Sequence, residues 1–164
     1  MFRIARSIPA SAVRLAATAS RPTLTRYFSQ TAPSQSLFTD YVDKVRPAIK
    51  EITARELNGQ LTKEPFNPPA DLHVLDVREP YEWNEFHLPN AIYTGRGTLE
   101  GKIESLVPNT EDSIVVYCAS GYRSILAADA LKNMGYKKVY SLKGGISAWK
   151  GAGLPVSQNP NVVL

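Results

Sequence analysis

The sequence predicts an α/β domain built on a largely parallel β-sheet. From residue 73 onward, short runs of β-forming residues alternate with segments of helical periodicity. One run, SIVVYC at residues 113–118, is continuously apolar, as strands buried on both faces of a parallel sheet are. The segment that follows it, RSILAADALKNMGY, repeats its apolar residues at helical spacing, with Gly135 as a stop signal. This alternation of strand and helix is typical of parallel α/β sheets.

Other segments complete the expected order of elements. Four runs have strand character, and they are HVLDV (73–77), AIYT (91–94), SIVVYC (113–118) and VYSL (139–142). The ITA segment beginning at Ile52 can supply a short fifth strand. A helix is expected after Thr53, which forms a capping-box pattern with Glu56, and another in GISAWKGAG. Residues 41–50 can begin a short helix that Pro47 interrupts.

Length and composition exclude several classes of protein. The 164 residues suit one ordinary domain. A single cysteine cannot form an internal disulfide, and with two widely spaced histidines it does not suggest a zinc site. No apolar stretch approaches the length of a membrane-spanning helix, so we expect no membrane insertion.

Charge is distributed unevenly along the chain. The net charge is +4, but residues 1–28 hold five arginines and no acid, namely Arg3, Arg6, Arg14, Arg21 and Arg26. Basic and acidic residues nearly balance elsewhere, so the charge does not indicate nucleic-acid binding. Residues 1–28 are interpreted as a mitochondrial transit peptide for a matrix protein, with a disordered basic tail as the alternative. We expect a linker at 29–40 and a single domain at 41–164, with its core at about 50–157.

The only cysteine, Cys118, directly follows the apolar run and precedes a helix, in the stretch YCASGYRS. Ligands of parallel sheets bind at the carboxyl ends of strands, and the first amides of a helix attract anions. A thiol held there is favoured as the thiolate. Gly121 permits a backbone conformation that other residues resist, and Arg123 adds a positive charge. The alternative is a buried cysteine that acts as a small apolar residue.

These residues resemble the rhodanese family. VVYCASGYRSILAADALKNMGYKKVYSLKGGISAWKGAGLPV is similar to the C-terminal half of a rhodanese domain, and LDVREPYEWNEFHLPNAI is similar to its first signature. The resemblance covers roughly residues 50–157 and implies a three-layer fold with a five-stranded, mainly parallel sheet. It makes Cys118 the nucleophile that carries a persulfide. It makes Ala119, Ser120, Gly121, Tyr122 and Arg123 the loop that binds the transferred sulfur and its donor.

The activity implied by the resemblance is sulfur transfer. A donor such as thiosulfate would pass its outer sulfur to Cys118, and a thiol such as glutathione or thioredoxin, or cyanide, would remove it, without a metal or organic cofactor. Two alternatives are a small cysteine-dependent phosphatase or arsenate reductase, and a non-catalytic module that binds a partner. Four residues separate Cys118 from Arg123, whereas the corresponding loop of tyrosine phosphatases is longer and sized for phosphate. The intact Cys–Arg pair argues against the non-catalytic module.

Further residues near predicted strand ends are candidates for supporting roles. Asp76 and Arg78 are interpreted as an ion pair that orders its loop, with contact to the site as the alternative. Arg96, flanked by glycines, either closes over an anionic donor or is an ordinary solvated arginine. Tyr122 is expected at the mouth of the loop, where it would influence the choice of acceptor. In HLPNA, Asn90 replaces the family's usual glycine and can support the turn in a left-handed conformation.

Overall fold

A computed structural model describes residues 36–63 and 69–158 of the chain. The predicted transit peptide at 1–28 lies outside these residues, as does the linker up to residue 35. Within the described residues, no helix has the length and apolar character needed to cross a lipid bilayer.

Within residues 36–63 and 69–158, five strands form one sheet in which every neighbouring pair is parallel. The strands are β1 (Lys50–Ile52), β2 (Leu72–Asp76), β3 (Ile92–Tyr93), β4 (Ser113–Tyr117) and β5 (Lys138–Leu142), in the order β1-β5-β4-β2-β3. The predicted α/β class and the five-stranded parallel sheet are therefore confirmed. The sequence analysis expected a short additional strand beginning at Ile52. In the structure this strand is β1, and it ends at Ile52 because Thr53 is the N-cap of the next helix.

In the described residues, six helices connect and flank the strands. They are α1 (Leu37–Val45), α2 (Ala54–Leu61), α3 (Pro80–Glu85), α4 (Leu99–Leu106), α5 (Tyr122–Asn133) and α6 (Gly145–Gly151). The capping box predicted for α2 is formed: the Glu56 amide donates to the Thr53 hydroxyl, and the Thr53 amide donates to the Glu56 carboxylate. Pro47 lies in a 3-10 turn after α1 and ends that helix, as expected.

Helix α1 begins earlier than the predicted domain boundary. Its first residue is Leu37, so residues 37–40 are helical rather than part of the predicted linker. The reason is a local cap, because the Ser36 hydroxyl accepts a hydrogen bond from the Thr39 amide. The sequence analysis assigned this stretch to a linker because its composition is polar, and it therefore did not predict the start of the helix.

The apolar core lies on both faces of the sheet. Successive residues of a strand point to opposite faces; on β4, Ile114 and Val116 enter one apolar cluster, whereas Val115 and Tyr117 enter the other. Residues of α1, α4 and α5 contribute to the first cluster and residues of α2 and α6 to the second. Burial on both faces explains the unbroken apolar run of β4 and produces a three-layer arrangement.

Candidate functional site

Cys118 lies at the carboxyl end of β4, enclosed by the loop that follows it. Its side chain is only 1% exposed. The Gly121 amide donates a hydrogen bond to Cys118 Sγ, with an N–S distance of 3.2 Å. Ala119 is half-buried, and Ser120 lies exposed on the outside of the loop. The loop therefore turns back over the sulfur and directs a backbone donor at it, as an anion-binding loop does.

The turn from this loop into α5 requires a glycine. Gly121 has φ of 96°, in the left-handed region, and precedes the first residue of α5. A Cβ at this position would lie 3.1 Å from the Gly144 amide nitrogen. The conformation predicted for Gly121 from the sequence is thus present, and the neighbouring chain adds a second constraint on its size.

Arg123 is held by α3 rather than free at the mouth of the loop. Its Nη1 and Nη2 donate to the two carboxylate oxygens of Glu82 at 2.8 and 2.9 Å, and Glu79 lies 3.9 Å from Nη1. The hydrogen bonds that Arg123 donates to Glu82 raise the pKa of the Arg123 guanidinium. Burial opposes ionisation of Glu82, but the hydrogen bonds from Arg123 and from the Glu79 amide outweigh it and lower the pKa of Glu82. A bidentate ion pair therefore braces the first turn of α5.

Asp76 and Arg78 form the predicted ion pair. Both side chains are almost fully buried, and Arg78 Nη2 donates to Asp76 Oδ2 at 2.7 Å. Arg78 Nη2 also donates to the Phe86 carbonyl at 2.6 Å. The pair ties the end of β2 to the segment after α3. It therefore orders the part of the chain that supplies Glu82.

Arg96 occupies a short 3-10 turn after β3. Its Nη1 donates to Glu100 Oε1 at 2.7 Å, an ion pair one helical turn apart. Strand β2 separates β3 from β4, so this turn shares the edge of the sheet that carries Cys118 without adjoining its strand. The structure thus brings Arg96 to the same edge and pairs it with an acid.

Tyr122, at the exposed side of the loop, lies against α1. Its ring centroid is 6.2 Å from that of Phe38, and the Arg46 guanidinium lies 5.6 Å from the Tyr122 centroid. The sequence analysis expected Tyr122 at the mouth of the loop but did not identify its neighbours.

Helix α6 holds the start of the loop, a role that the sequence analysis missed. The Ile146 amide donates to the Cys118 carbonyl at 2.9 Å, and the Ser147 amide donates to the Ala119 carbonyl at 3.1 Å. Gly145 makes this approach possible, because a Cβ there would lie 2.3 Å from the Cys118 carbonyl oxygen. The two adjacent glycines in KGGIS were the available sequence signal.

Two buried hydroxyl groups extend the polar environment of the sulfur and were also missed. Ser124 Oγ lies 3.7 Å from Cys118 Sγ and 2.8 Å from Ser141 Oγ, and it donates to the Gly121 carbonyl at 3.0 Å. Both serines are fully buried. Because a hydroxyl can rotate, the Ser124 proton can turn toward the sulfur when that sulfur is an anion, while Ser141 continues to donate to Ser124.

The comparison with protein families matches this chain to the model of the rhodanese-like domain over residues 53–152. The chain belongs to this family. The match includes β2, β4 and β5, the Cys118 loop and all of α6. It also includes Asn90, whose φ of 58° shows that the asparagine supplies the left-handed turn expected of it.

Curated relatives of this chain carry names that refer to sulfur transfer or sulfur carriage. A sulfurtransferase of Allochromatium vinosum is 32% identical over 108 residues, covering 66% of this chain and 94% of the relative. A thiosulfate sulfurtransferase, GlpE, of Coxiella burnetii is 35% identical over 80 residues, covering 49% of this chain and 73% of the relative. YrkF of Bacillus subtilis, named as a sulfur carrier protein, is 33% identical over 58% of this chain, and the match spans about half, 51%, of its length.

A solved structure with a similar fold bears a different functional description. It is a protein of unknown function from Rhodopseudomonas palustris, described as a possible tyrosine phosphatase. It is 26% identical to this rhodanese-like chain, with a TM-score of 0.66 over 78% of this chain and 98% of that one. The fold alone therefore does not distinguish a sulfurtransferase from a phosphatase, and the distinction depends on the loop after the cysteine.

Proposed function

We propose that the protein is a sulfurtransferase whose Cys118 carries sulfane sulfur as a persulfide. The single observation behind the proposal is the enclosed sulfur of Cys118, which receives the Gly121 amide at 3.2 Å beside the N-terminus of α5. Names of relatives at 32–35% identity support the reaction class. The thiosulfate sulfurtransferase name of one relative supports thiosulfate as the donor.

The reaction would proceed by two displacements. In the first, the Cys118 thiolate attacks the outer sulfur of thiosulfate, the S–S bond of the donor breaks, and sulfite leaves. In the second, the thiolate of an acceptor or cyanide attacks the outer sulfur of the persulfide, and Cys118 leaves as a thiolate. The Gly121 amide and the Ser124 hydroxyl would stabilise negative charge on the sulfur of Cys118 in both half-reactions.

The two arginines would have different roles. Arg123, held by both oxygens of Glu82, would fix the first turn of α5 and so the position of Gly121. We propose Arg96 as a residue that approaches the sulfonate of the donor, for which it would have to leave Glu100. No metal or organic cofactor is needed, because the persulfide itself carries the transferred atom.

The decisive experiment is the intact mass of the purified protein after incubation with thiosulfate. We expect a gain of one sulfur atom on Cys118, reversed by excess thiol or cyanide, and no gain in a Cys118→Ser variant with wild-type circular dichroism. A folded wild-type protein that gains no sulfur from thiosulfate or from mercaptopyruvate would contradict the proposal.

A phosphatase activity is the second candidate, favoured by the description of the structural neighbour. Hydrolysis of p-nitrophenyl phosphate by the same sample tests it. We expect no Cys118-dependent hydrolysis, because only four residues separate Cys118 from Arg123 and the resulting loop suits a single sulfur atom better than a phosphate group.

A further inference from the structure

An exposed apolar surface adjoins the catalytic loop. It consists of Leu37, Phe38 and Tyr41 on α1 together with Tyr122, which are 89%, 47%, 56% and 36% exposed. We refer to these four residues as the α1 patch. They are four of the six large hydrophobic side chains that are exposed in the described part of the chain. Such residues are ordinary when scattered singly, but a contiguous group marks an interaction surface.

The aromatic centre of the patch is fixed in place. Phe38 lies on one side of the Tyr122 ring, and the Arg46 guanidinium lies within 5.6 Å of its centroid. Arg46 is itself held by Glu51 at 3.0 Å. A tyrosine ordered before binding loses little conformational entropy when a partner covers it, and Tyr and Arg are enriched at binding hot spots.

The patch is continuous with the site of the proposed reaction. Tyr122 belongs to the loop between Cys118 and Arg123, and the sulfur of Cys118 is buried beneath that loop. Cyanide, or the thiol arm of glutathione, can approach the outer sulfur of the persulfide without covering the surface around the loop. A protein acceptor must instead rest on the surface around the loop, and that surface includes the α1 patch.

We propose that the α1 patch is the docking surface for a folded protein that presents a cysteine thiol as the sulfur acceptor; this inference rests on the proposed sulfurtransferase function. A second copy of the chain does not suit this role. The chain has one cysteine, and that cysteine is buried, so a second copy has no exposed thiol to offer.

The transfer step balances without a further reactant. The partner's thiolate attacks the outer sulfur of the Cys118 persulfide. A new S–S bond forms on the partner, and the bond between the outer sulfur and Cys118 Sγ breaks. The products are the partner's persulfide and the Cys118 thiolate. With a dithiol partner such as reduced thioredoxin, the second thiol then displaces hydrogen sulfide and leaves a disulfide on the partner.

The test compares acceptors of different size in a Leu37→Ser/Tyr41→Ser variant, whose substitutions avoid the catalytic loop. Reduced thioredoxin is the protein probe, read as hydrogen sulfide release, and glutathione and cyanide are the small probes. We expect KM for thioredoxin to rise about tenfold, while the kinetics with cyanide and glutathione stay at wild-type values. Met134→Ser is the matched control, because Met134 is 39% exposed at the opposite end of α5 and should leave all three acceptors unaffected.

The outcomes separate this proposal from the proposed function. If the wild-type protein forms no persulfide, the sulfurtransferase function fails and the docking proposal fails with it. If the persulfide forms and cyanide removes it, but the double variant handles thioredoxin like wild type, only the docking proposal is overturned. An equal loss with all three acceptors, or a change in oligomeric mass in the variant, also overturns it.

Discussion

At the scale of single residues, Arg123 illustrates how a charge can act through geometry. Its guanidinium donates hydrogen bonds to both carboxylate oxygens of Glu82. The positive charge near the loop is therefore balanced by a negative one. Because the pKa of Glu82 is lowered, this partner is ionised at neutral pH and the brace is intact there. The brace is lost only as the pH falls below the ordinary range of a glutamic acid.

We predict that Arg123→Lys lowers kcat/KM with thiosulfate by about a hundredfold, although the positive charge is kept. Lysine presents a single ammonium group in place of a planar fork, so it cannot engage both oxygens of Glu82. Steady-state kinetics with thiosulfate and cyanide measure the effect, and Glu82→Gln should cause a loss of similar direction because it breaks the same brace.

Arg96→Lys serves as the matched comparison for this prediction. If Arg96 closes over the bound donor and binds its sulfonate, the variant should raise KM for thiosulfate with little change in kcat, because lysine keeps the charge but loses the planar fork of donors. Near-wild-type kinetics for Arg123→Lys would show that the loop needs only a positive charge and would refute the brace.

At the scale of elements, the approach of α6 to β4 decides the shape of the loop. The first amides of α6 bind the carbonyls of Cys118 and Ala119, so the helix that follows β5 anchors the loop that follows β4. This contact depends on the missing side chain of Gly145, which also has φ of 57°.

We predict that Gly145→Ala destabilises the protein by at least about 3 kcal/mol, because its Cβ would overlap the loop backbone. The Cβ of an alanine at this position would lie 2.3 Å from the Cys118 carbonyl oxygen and 2.5 Å from the Ala119 carbonyl oxygen. Urea denaturation followed by circular dichroism measures the change in the free energy of unfolding.

Gly153→Ala is the control for this substitution. Gly153 has φ of 71°, and a Cβ there would meet nothing within 4 Å. Its variant should lose only the cost of a left-handed alanine, about 1–2 kcal/mol. Equal losses at Gly145 and Gly153 would mean that backbone conformation alone matters and that α6 does not press on the loop.

At the scale of the whole molecule, the chain consists of a basic N-terminal segment and a nearly neutral remainder. The five arginines of residues 1–28 account for the net positive charge, and the remainder is close to neutral. We propose that this segment directs the protein to the mitochondrial matrix and is removed there.

The targeting proposal predicts that residues 1–28 carry a fluorescent reporter into mitochondria and that the imported protein loses them. Replacing the five arginines with glutamine should leave the reporter in the cytosol, because an electrical potential across the inner membrane draws positive segments inward. Microscopy and N-terminal sequencing of the imported protein provide the readout. A cytosolic wild-type reporter would contradict the targeting, and a mitochondrial product that still begins at Met1 would contradict the cleavage.

The sequence by itself determined the features that depend on neighbouring residues. The continuous apolar run predicted a buried β4, and the helical spacing after it predicted α5. The glycine of the Cys118 loop marked a left-handed turn, which is present at φ of 96°. The Asp76–Arg78 pair was also predicted, because its partners are two positions apart. Each of these features depends on periodicity, backbone conformation or reach within a few residues.

Only the tertiary structure decided which distant residues complete the site. Glu82 and Arg123 are separated by 41 positions, and Ser124 and Ser141 by 17. The strand order β5-β4-β2 brings both pairs together at one edge of the sheet. No local pattern encodes that order, because strand neighbours are chosen by the packing of the whole apolar core on both faces. For the same reason the sequence indicated Cys118 and its loop as the candidate site, whereas the fold supplied the carboxylate, the hydroxyl groups and the helix that surround this loop.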